Sequence, residues 1–305
     1  MAEAAITLPA AGSTLLPRDI SEMIFEDARK DSVVQRASRR IPLPYAGVGI
    51  PFMTGKPVAS WVTEGGRKPV SDATVGTKTM DPKKLAVIVP FSVEYMRSDT
   101  VNLLDTLRPD IATAFAEAFD AAAIHGTATP FANYLTETTN SVTLGTGASF
   151  YVDLVNLASQ IAADGHALNG FVVGEQGQWT IAGNVDSEGR PILTTILDAE
   201  AGITGGTMLG RPAYVGEGVD ISNVADVGDG VNDTLVAIGG DWRKAAWGAV
   251  GEIEYDVNES ASLTLTDTSV LNLWQDNLVA LRAEAWYGFA VRDVQAFGEA
   301  ITAAA

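Results

Sequence analysis

Few side chains in this sequence have a type and spacing that does chemistry. The two histidines, His125 and His166, stand apart from any HExxH-like ligand spacing, and there is no cysteine. Thiolate zinc sites, cysteine nucleophiles and disulfides are thereby excluded together. No GxSxG elbow and no GxxxxGK[ST] phosphate loop occurs. The glycine-rich GITGGTMLGRP, Gly202 to Pro212, lacks phosphate-loop spacing and reads as a mobile loop leading into a strand. The acidic turn ADVGDGVND, Ala225 to Asp233, lacks the twelve-residue pattern ending in Glu and reads as a solvated turn. His125 closes a helical run, where the dipole favours positive charge, and reads as a capping or packing residue. The expectation is no cofactor, no metal and no small-molecule catalysis.

One passage still invites a function. WVTEGGRKPVSDATVG, Trp61 to Gly76, sets paired glycines, Arg67, Lys68, Pro69 and a Ser-Asp turn between two apolar runs. Its residues alone suit a ligand-binding loop, a disordered linker, or an arm that reaches for another protein.

The flanking elements narrow how that passage is held. FMTGKPVASWV leads into it and MDPKKLAVIVPFSVE leads out. In the second run Leu85, Val87, Val89 and Phe91 alternate with their neighbours, the period-two signature of a strand. Two strands joined by a long polar tip make an extended hairpin, which is marginal in water without a partner surface. A short helix is expected within Arg18–Ser38, ending before the prolines at 42 and 44.

The clearest helix is NLLDTLRPDIATAFAEAFDAAAIHG, where Leu104, Leu107, Ile111, Phe115 and Phe119 recur at steps of three or four. Gly126 is its natural stop, and Pro109 either starts its main body or kinks it. SFYVDLVNLASQIAADG predicts a second helix. Short strands with Gly-containing turns follow, and the run from Asn272 to Ile301 reads as a long returning strand. Strands with segregated helices indicate α+β.

Composition bounds the partners. The chain has 305 residues and is 47% hydrophobic, enough to build a core. Lys and Arg number 20 against 38 Asp and Glu, a formal charge of −18, which disfavours tight direct binding of nucleic acid. Residues 1–100 hold 13 basic and 11 acidic side chains and net +2, whereas residues 101–305 hold 7 basic and 27 acidic and net −20. That asymmetry suits chain-to-chain complementarity, and a solvated acidic surface explains it equally. No apolar run reaches the roughly 18 residues that span a bilayer, and the N-terminus does not read as a signal peptide, so a cytoplasmic protein with no membrane partner is expected.

Several stretches, in order, give the chain a resemblance to the major capsid proteins of tailed bacteriophages, the family with the Hong Kong 97 type fold. They are W61-V-T-E-G, K68-P-x-S-D, D81-P-K-K-L-A-V-I-V-P-F-S-V-E, S98-D, D120-A-A-A-I-H-G, D186-x-E-G-R-P, L209-G-R-P, G239-G-D, N277-L-V-A-L-R-A-E and A296-F. Each is weak alone, but their order and spacing run from about residue 15 to 298.

The resemblance implies an N-terminal arm (1–45), an extended β-hairpin loop or E-loop (46–92), a peripheral domain with a long spine helix (93–150 and 275–305), and an axial domain (151–274). It implies a protein that self-assembles as hexamers and pentamers into an icosahedral shell enclosing phage double-stranded DNA, without sequence-specific binding. Scaffolding, portal and decoration proteins are the implied further partners, and the virion capsid, assembled in the bacterial cytoplasm, is the implied location. The chain starts close to the arm, which implies either a separate scaffolding protein or prior removal of a scaffolding segment. Trp61, Glu64, Arg67, Lys68 and Asp72 are the implied intersubunit contacts.

Some members join subunits by an isopeptide bond between an E-loop lysine and a neighbour's asparagine, promoted by a glutamate. Lys68, Asn277 and Glu284 match those positions. Burial would lower the lysine's pKa, and a buried glutamate with a raised pKa would accept its proton. Asn277 and Glu284 are an odd number of residues apart, so a bulge or bend is expected to bring them to one side. The structural roles that compete are an intersubunit salt bridge for Lys68, a strand-edge bond for Asn277, and pairing of Glu284 with Arg282 or Arg292. A nanocompartment shell of the encapsulin type and a monomeric hydrolase or binding protein are the alternative functions.

Overall fold

The computed structural model describes residues 32–53, 59–68, 70, 74–94, 103–126, 129–147, 149–184, 192–198, 203–219, 222–224, 233–265 and 269–302. Of the helix expected within Arg18–Ser38, the turn α1 (Val33–Ala37) is present, and the part before residue 32 lies outside the described residues. Ser32 caps it by accepting from Gln35 N. Then come β1 (Arg39–Arg40), β2 (Val48–Met53), β3 (Val75–Met80) and β4 (Lys83–Ser92). Helix α2 (Leu103–Ile124) holds Pro109 inside it rather than at its start. Gly126 ends it at φ 65°, with the Tyr134 ring where a Cβ would go.

Strand β5 (Ser141–Thr143) precedes helix α3 (Phe150–Ala163), capped by Ser149. β6 (Gly170–Gly174), helix α4 (Glu175–Ala182), β7 (Leu193–Asp198), β8 (Ile203–Met208) and β9 (Arg211–Gly216) follow. The remaining strands are β10 (Ser222–Val224), β11 (Asp233–Gly240), β12 (Ala245–Asn258), β13 (Ser262–Thr264), β14 (Val270–Asn272), β15 (Leu278–Val291) and β16 (Phe297–Thr302).

Two sheets sandwich α2. The first has the order β1-β12-β15-β4, and the second runs β5-β16-β11-β6-β9-β8-β7 with β10 beside β11. Odd residues of β15 (Val279 to Val291) and Leu85, Val87, Val89 and Phe91 of β4 turn toward Ile111, Phe115 and Phe119 of α2. Phe119 makes ring contacts with Phe131, Trp247, Tyr287 and Phe289 at centroid separations of 5.4–6.4 Å. Each such buried side chain contributes on the order of 1.5–3 kcal/mol. The other face of the second sheet packs on Leu154, Leu157 and Ile161 of α3 and Ile181 of α4. The molecule is thus layered: α3 and α4, the second sheet, α2, then the first sheet. The α+β class holds.

α1 is locked to α2 by one carboxylate. Asp120 is buried and accepts from Ser32 Oγ (2.6 Å), Val33 N (2.8 Å) and Val34 N (3.3 Å). Burial pushes its pKa up to about 7, against the lowering effect of those hydrogen bonds and of Arg36.

Two local expectations are corrected. Over its described residues, 203–212, the glycine-rich passage is not a loop: β8 and β9 form an antiparallel hairpin whose turn, Leu209-Gly210, has φ of 51° and 70°. Two consecutive positive φ values give the turn the twist that a two-residue hairpin requires, and the strand backbone tolerates the glycine pair before it. The partner of β2 is also not the alternating run at 83–92. β2 pairs with β3, from Val48↔Met80 to Met53↔Val75, whereas β4 pairs along β15 from Ser92↔Leu278 to Lys83↔Tyr287. Of the acidic turn 225–233 and the 186–191 turn, all but Asp233 lie outside the described residues.

Candidate subunit interface

The β2–β3 hairpin is an arm with a fixed base and an exposed tip. At the base, Met80 is buried with Leu43, Val250 and Ala290, and Ile41, Val48, Ile50 and Trp286 pack around them. The approach is close because Gly248 and Gly288 face each other across β12 and β15. A Cβ on Gly288 would lie 2.7 Å from Leu43 Cδ2 and 2.9 Å from Met80 Cγ, and one on Gly248 would lie 2.6 Å from Ile41 O. Lys78 Nζ donates to Val291 O (2.8 Å) and Asn133 Oδ1 (3.2 Å). The Arg292 guanidinium sits 5.5 Å from the Phe52 ring centre.

Sequence reasoning missed Lys78, Gly248 and Gly288, and offered Arg292 to Glu284 where the structure sets it against Phe52 and Met53 O. Glycines inside apolar strands were the signal that could have flagged the glycine pair.

At the tip, Trp61, Glu64, Arg67 and Lys68 are all exposed; Trp61 reaches 105% of its reference area. Thr63–Gly66 is a β-turn closed by Gly66 N donating to Thr63 O (2.9 Å), with Gly65 at φ 77°. Val62 and Val70 are exposed beside it. Asp72 lies outside the described residues. An arm tip with a bare tryptophan, two valines and two cations suits a protein surface on another chain.

Asn277 and Glu284 do not meet within one chain. Asn277 is exposed at φ 55° just before β15, and its carbonyl accepts from Val93 N (3.0 Å). Glu284 lies seven residues on, and β15 keeps one register with β4 throughout. At about 3.3 Å per residue the two are roughly 23 Å apart. The expected bulge is absent from this part of β15; the register shift falls between Val250 and Glu254 of β12.

Glu284 is also not the raised-pKa acid that was expected. The hydrogen bond from Lys84 (2.5 Å) holds its carboxyl below the usual range, against the opposing effect of desolvation, with further help from the Arg282 and Lys84 charges. Arg282 lies 3.4 Å from Glu284 and 3.2 Å from Asp256, forming a charge ladder on the outer face of the first sheet. The pairing with Arg282 was anticipated; Lys84 was not.

Both histidines have structural partners. His125 Nε2 lies 3.1 Å from Val219 O, and burial lowers its pKa against the raising effect of that hydrogen bond. His166 Nε2 lies 3.1 Å from Asp293 Oδ2.

The profile of the phage capsid family matches residues 12–298. The probable major capsid protein gp17 of Mycobacterium phage D29 is 34% identical over 282 residues, which are 90% of this chain and 85% of that protein. Gp17 of Mycobacterium phage L5 is also 34% identical, over 287 residues, with the same shares of 90% and 85%. A solved structure from Mycobacterium phage Ogopogo superposes with a TM-score of 0.69 at 22% identity, covering 89% of this chain and 92% of that one. The extent of these matches and the shared architecture carry one conclusion: the chain belongs to the phage capsid family, as a structural major capsid protein with the Hong Kong 97 type fold.

Proposed function

We propose that copies of this chain assemble as hexamers and pentamers into an icosahedral shell that encloses phage double-stranded DNA. The observation that carries this reading is the β2–β3 arm, rigid at its base and bare at Trp61, Val62 and Val70. Each arm lies across a neighbour, with Arg67, Lys68 and Asp72 among the contacts. The acidic balance suits a wall that does not grip its contents.

In this reading the arm is the hairpin within 46–92, residues 93–150 and 275–305 form the peripheral domain around α2, 151–274 the axial domain, and 1–45 embrace an adjacent subunit. Residues 83–92 and 245–258 travel with the peripheral sheet, since β4 and β12 pair with β15, whereas β5 and β16 join the second sheet with β11. Assembly takes place in the host cytoplasm, with scaffolding, portal and decoration proteins as further partners. Electron microscopy of purified particles tests the reading: DNA-filled heads are expected, and a monomer of 32.0 kDa that never assembles refutes it.

The covalent step proposed for this shell joins Lys68 of one copy to Asn277 of another. The neutral Nζ attacks the Asn277 Cγ, a C–N bond forms, and the carboxamide nitrogen leaves as ammonia with the proton that a glutamate relays. Lys68 is exposed in the single chain, so the neighbour must supply the burial that deprotonates it. Because Asn277 and Glu284 are about 23 Å apart within a chain, the glutamate must come from a copy other than the one supplying the asparagine. Boiling particles in SDS tests the step. A ladder that collapses to monomer in Lys68→Ala is expected; a single monomer band from mature wild-type particles refutes it.

A further inference from the structure

The lysine at the base of the arm does not meet a carboxylate directly. Lys78, on β3, donates from Nζ to Asn133 Oδ1 (3.2 Å) and to Val291 O (2.8 Å). On its far side, Asn133 Nδ2 donates to Glu137 Oε2 (2.9 Å). A carboxamide is thus interposed between a lysine and a glutamate, and its orientation is forced. An ammonium can only donate and a carboxylate can only accept, so the oxygen faces Lys78 and the nitrogen faces Glu137.

Separate elements hold that row in place. β15 ends at Val291, which is fully buried, and its carbonyl fixes Nζ. Asn133 stands between Phe131, which contacts the Phe119 and Phe289 rings, and the short 3-10 turn Leu135–Glu137. Fully buried Leu135 anchors that turn, as does Thr136 Oγ1 donating to Ile124 O (2.9 Å). Lys78 and Asn133 are half-buried, whereas Glu137 is exposed. Nζ lies at most about 4.4 Å from Asn133 Cγ, one C=O length beyond its contact with the oxygen. An amine beside a carbonyl carbon, with the leaving nitrogen already on a carboxylate, is pre-organised for amide exchange.

The geometry points to an isopeptide bond formed within one chain between Lys78 and Asn133, with Glu137 as the proton carrier. The neutral Nζ attacks Asn133 Cγ, a C–N bond forms, and Nζ gives up a proton. Glu137 delivers a proton to Nδ2, the Cγ–Nδ2 bond breaks, and ammonia leaves past the exposed glutamate. An amine and a carboxamide become a secondary amide and ammonia, and nothing is oxidised or reduced. Only the neutral amine attacks, so the rate rises with pH. This bond is separate from the Lys68–Asn277 step, because both partners belong to one copy and no neighbour is needed. It ties the return strand of the arm to the segment after α2, across 55 positions of sequence.

The purified full-length chain tests the bond without assembly. The folded protein is held at about pH 9 while its intact mass is followed. A product lighter by one ammonia is expected, and its protease digest should contain a branched peptide joining residues 78 and 133. Lys78→Arg keeps the charge and Asn133→Asp keeps the shape, and each should abolish the product. Glu137→Gln should slow its formation at least about tenfold; an unchanged rate removes the glutamate from the mechanism. The product should persist in Lys68→Ala, which lacks the intersubunit lysine. A wild-type mass that stays constant overturns the bond, whatever the variants do. So does ammonia loss whose digest shows cyclised asparagine and no branched peptide.

Discussion

Replacing Asp120 by asparagine should make the stability of the chain less dependent on pH. The folded carboxyl holds its proton up to about 7, whereas the ordinary value is 3.8. A buried acid with a raised pKa contributes fully below its unfolded pKa, and the contribution is lost as pH rises through the folded one. Between about pH 4 and 7 the wild type should therefore lose about 1.4 kcal/mol per pH unit relative to Asp120→Asn, roughly 4 kcal/mol in all.

Asn cannot titrate, and its amide leaves one of the backbone donors of Val33 and Val34 without an acceptor. The variant should accordingly be the weaker protein at pH 5, by about 1–3 kcal/mol. Its deficit should shrink, and can invert, by pH 8. Among the described residues Arg36 is the one charged group that acts on this carboxyl, so few other titrations blur the comparison. Urea unfolding of dissociated subunits at pH 5, 6, 7 and 8 measures the difference between the two proteins. A gap that stays constant to within about 0.5 kcal/mol across that range would refute the reasoning.

Other perturbations test separate parts of the structure. Gly218→Ala places a Cβ 2.6 Å from the Asp120 Cβ and should cost about 1–3 kcal/mol in thermal or urea unfolding. His125 should titrate by NMR below 6.5, so the stability it contributes is present above that pH and lost on acidification, opposite in sign to Asp120. Leu157→Ala empties a site that is 1% exposed, and a loss of about 2–5 kcal/mol is expected in urea unfolding. Gly288→Val collides with Leu43 and Met80; it should loosen the arm's base and speed proteolytic cleavage within 59–68 in unassembled subunits.

The elements whose signals are local were legible in the sequence. The apolar stripe of α2, its stop at Gly126, the span of α3 and the period-two alternation of β4 each depend on neighbours a few residues away. The ordered motifs also placed the chain in its family. Tertiary structure alone decided which strands pair, because period-two alternation states which face is buried but not against what. So β4 went to β15, and β3, with its threonines and lysine, became the return strand of the arm.

The same limit hid Lys78, the partners of Arg292 and the glycine pair at 248 and 288, which act only once distant segments are in contact. Asp120 reads as an ordinary surface residue of a helix. It becomes a buried clamp because residues 32–34, some 86–88 positions away in sequence, bring three donors to it. For Asn277 and Glu284, the motif gave their identities, and the unbroken strand between them set their separation. Spacing along a chain is converted into distance only by the backbone that carries it.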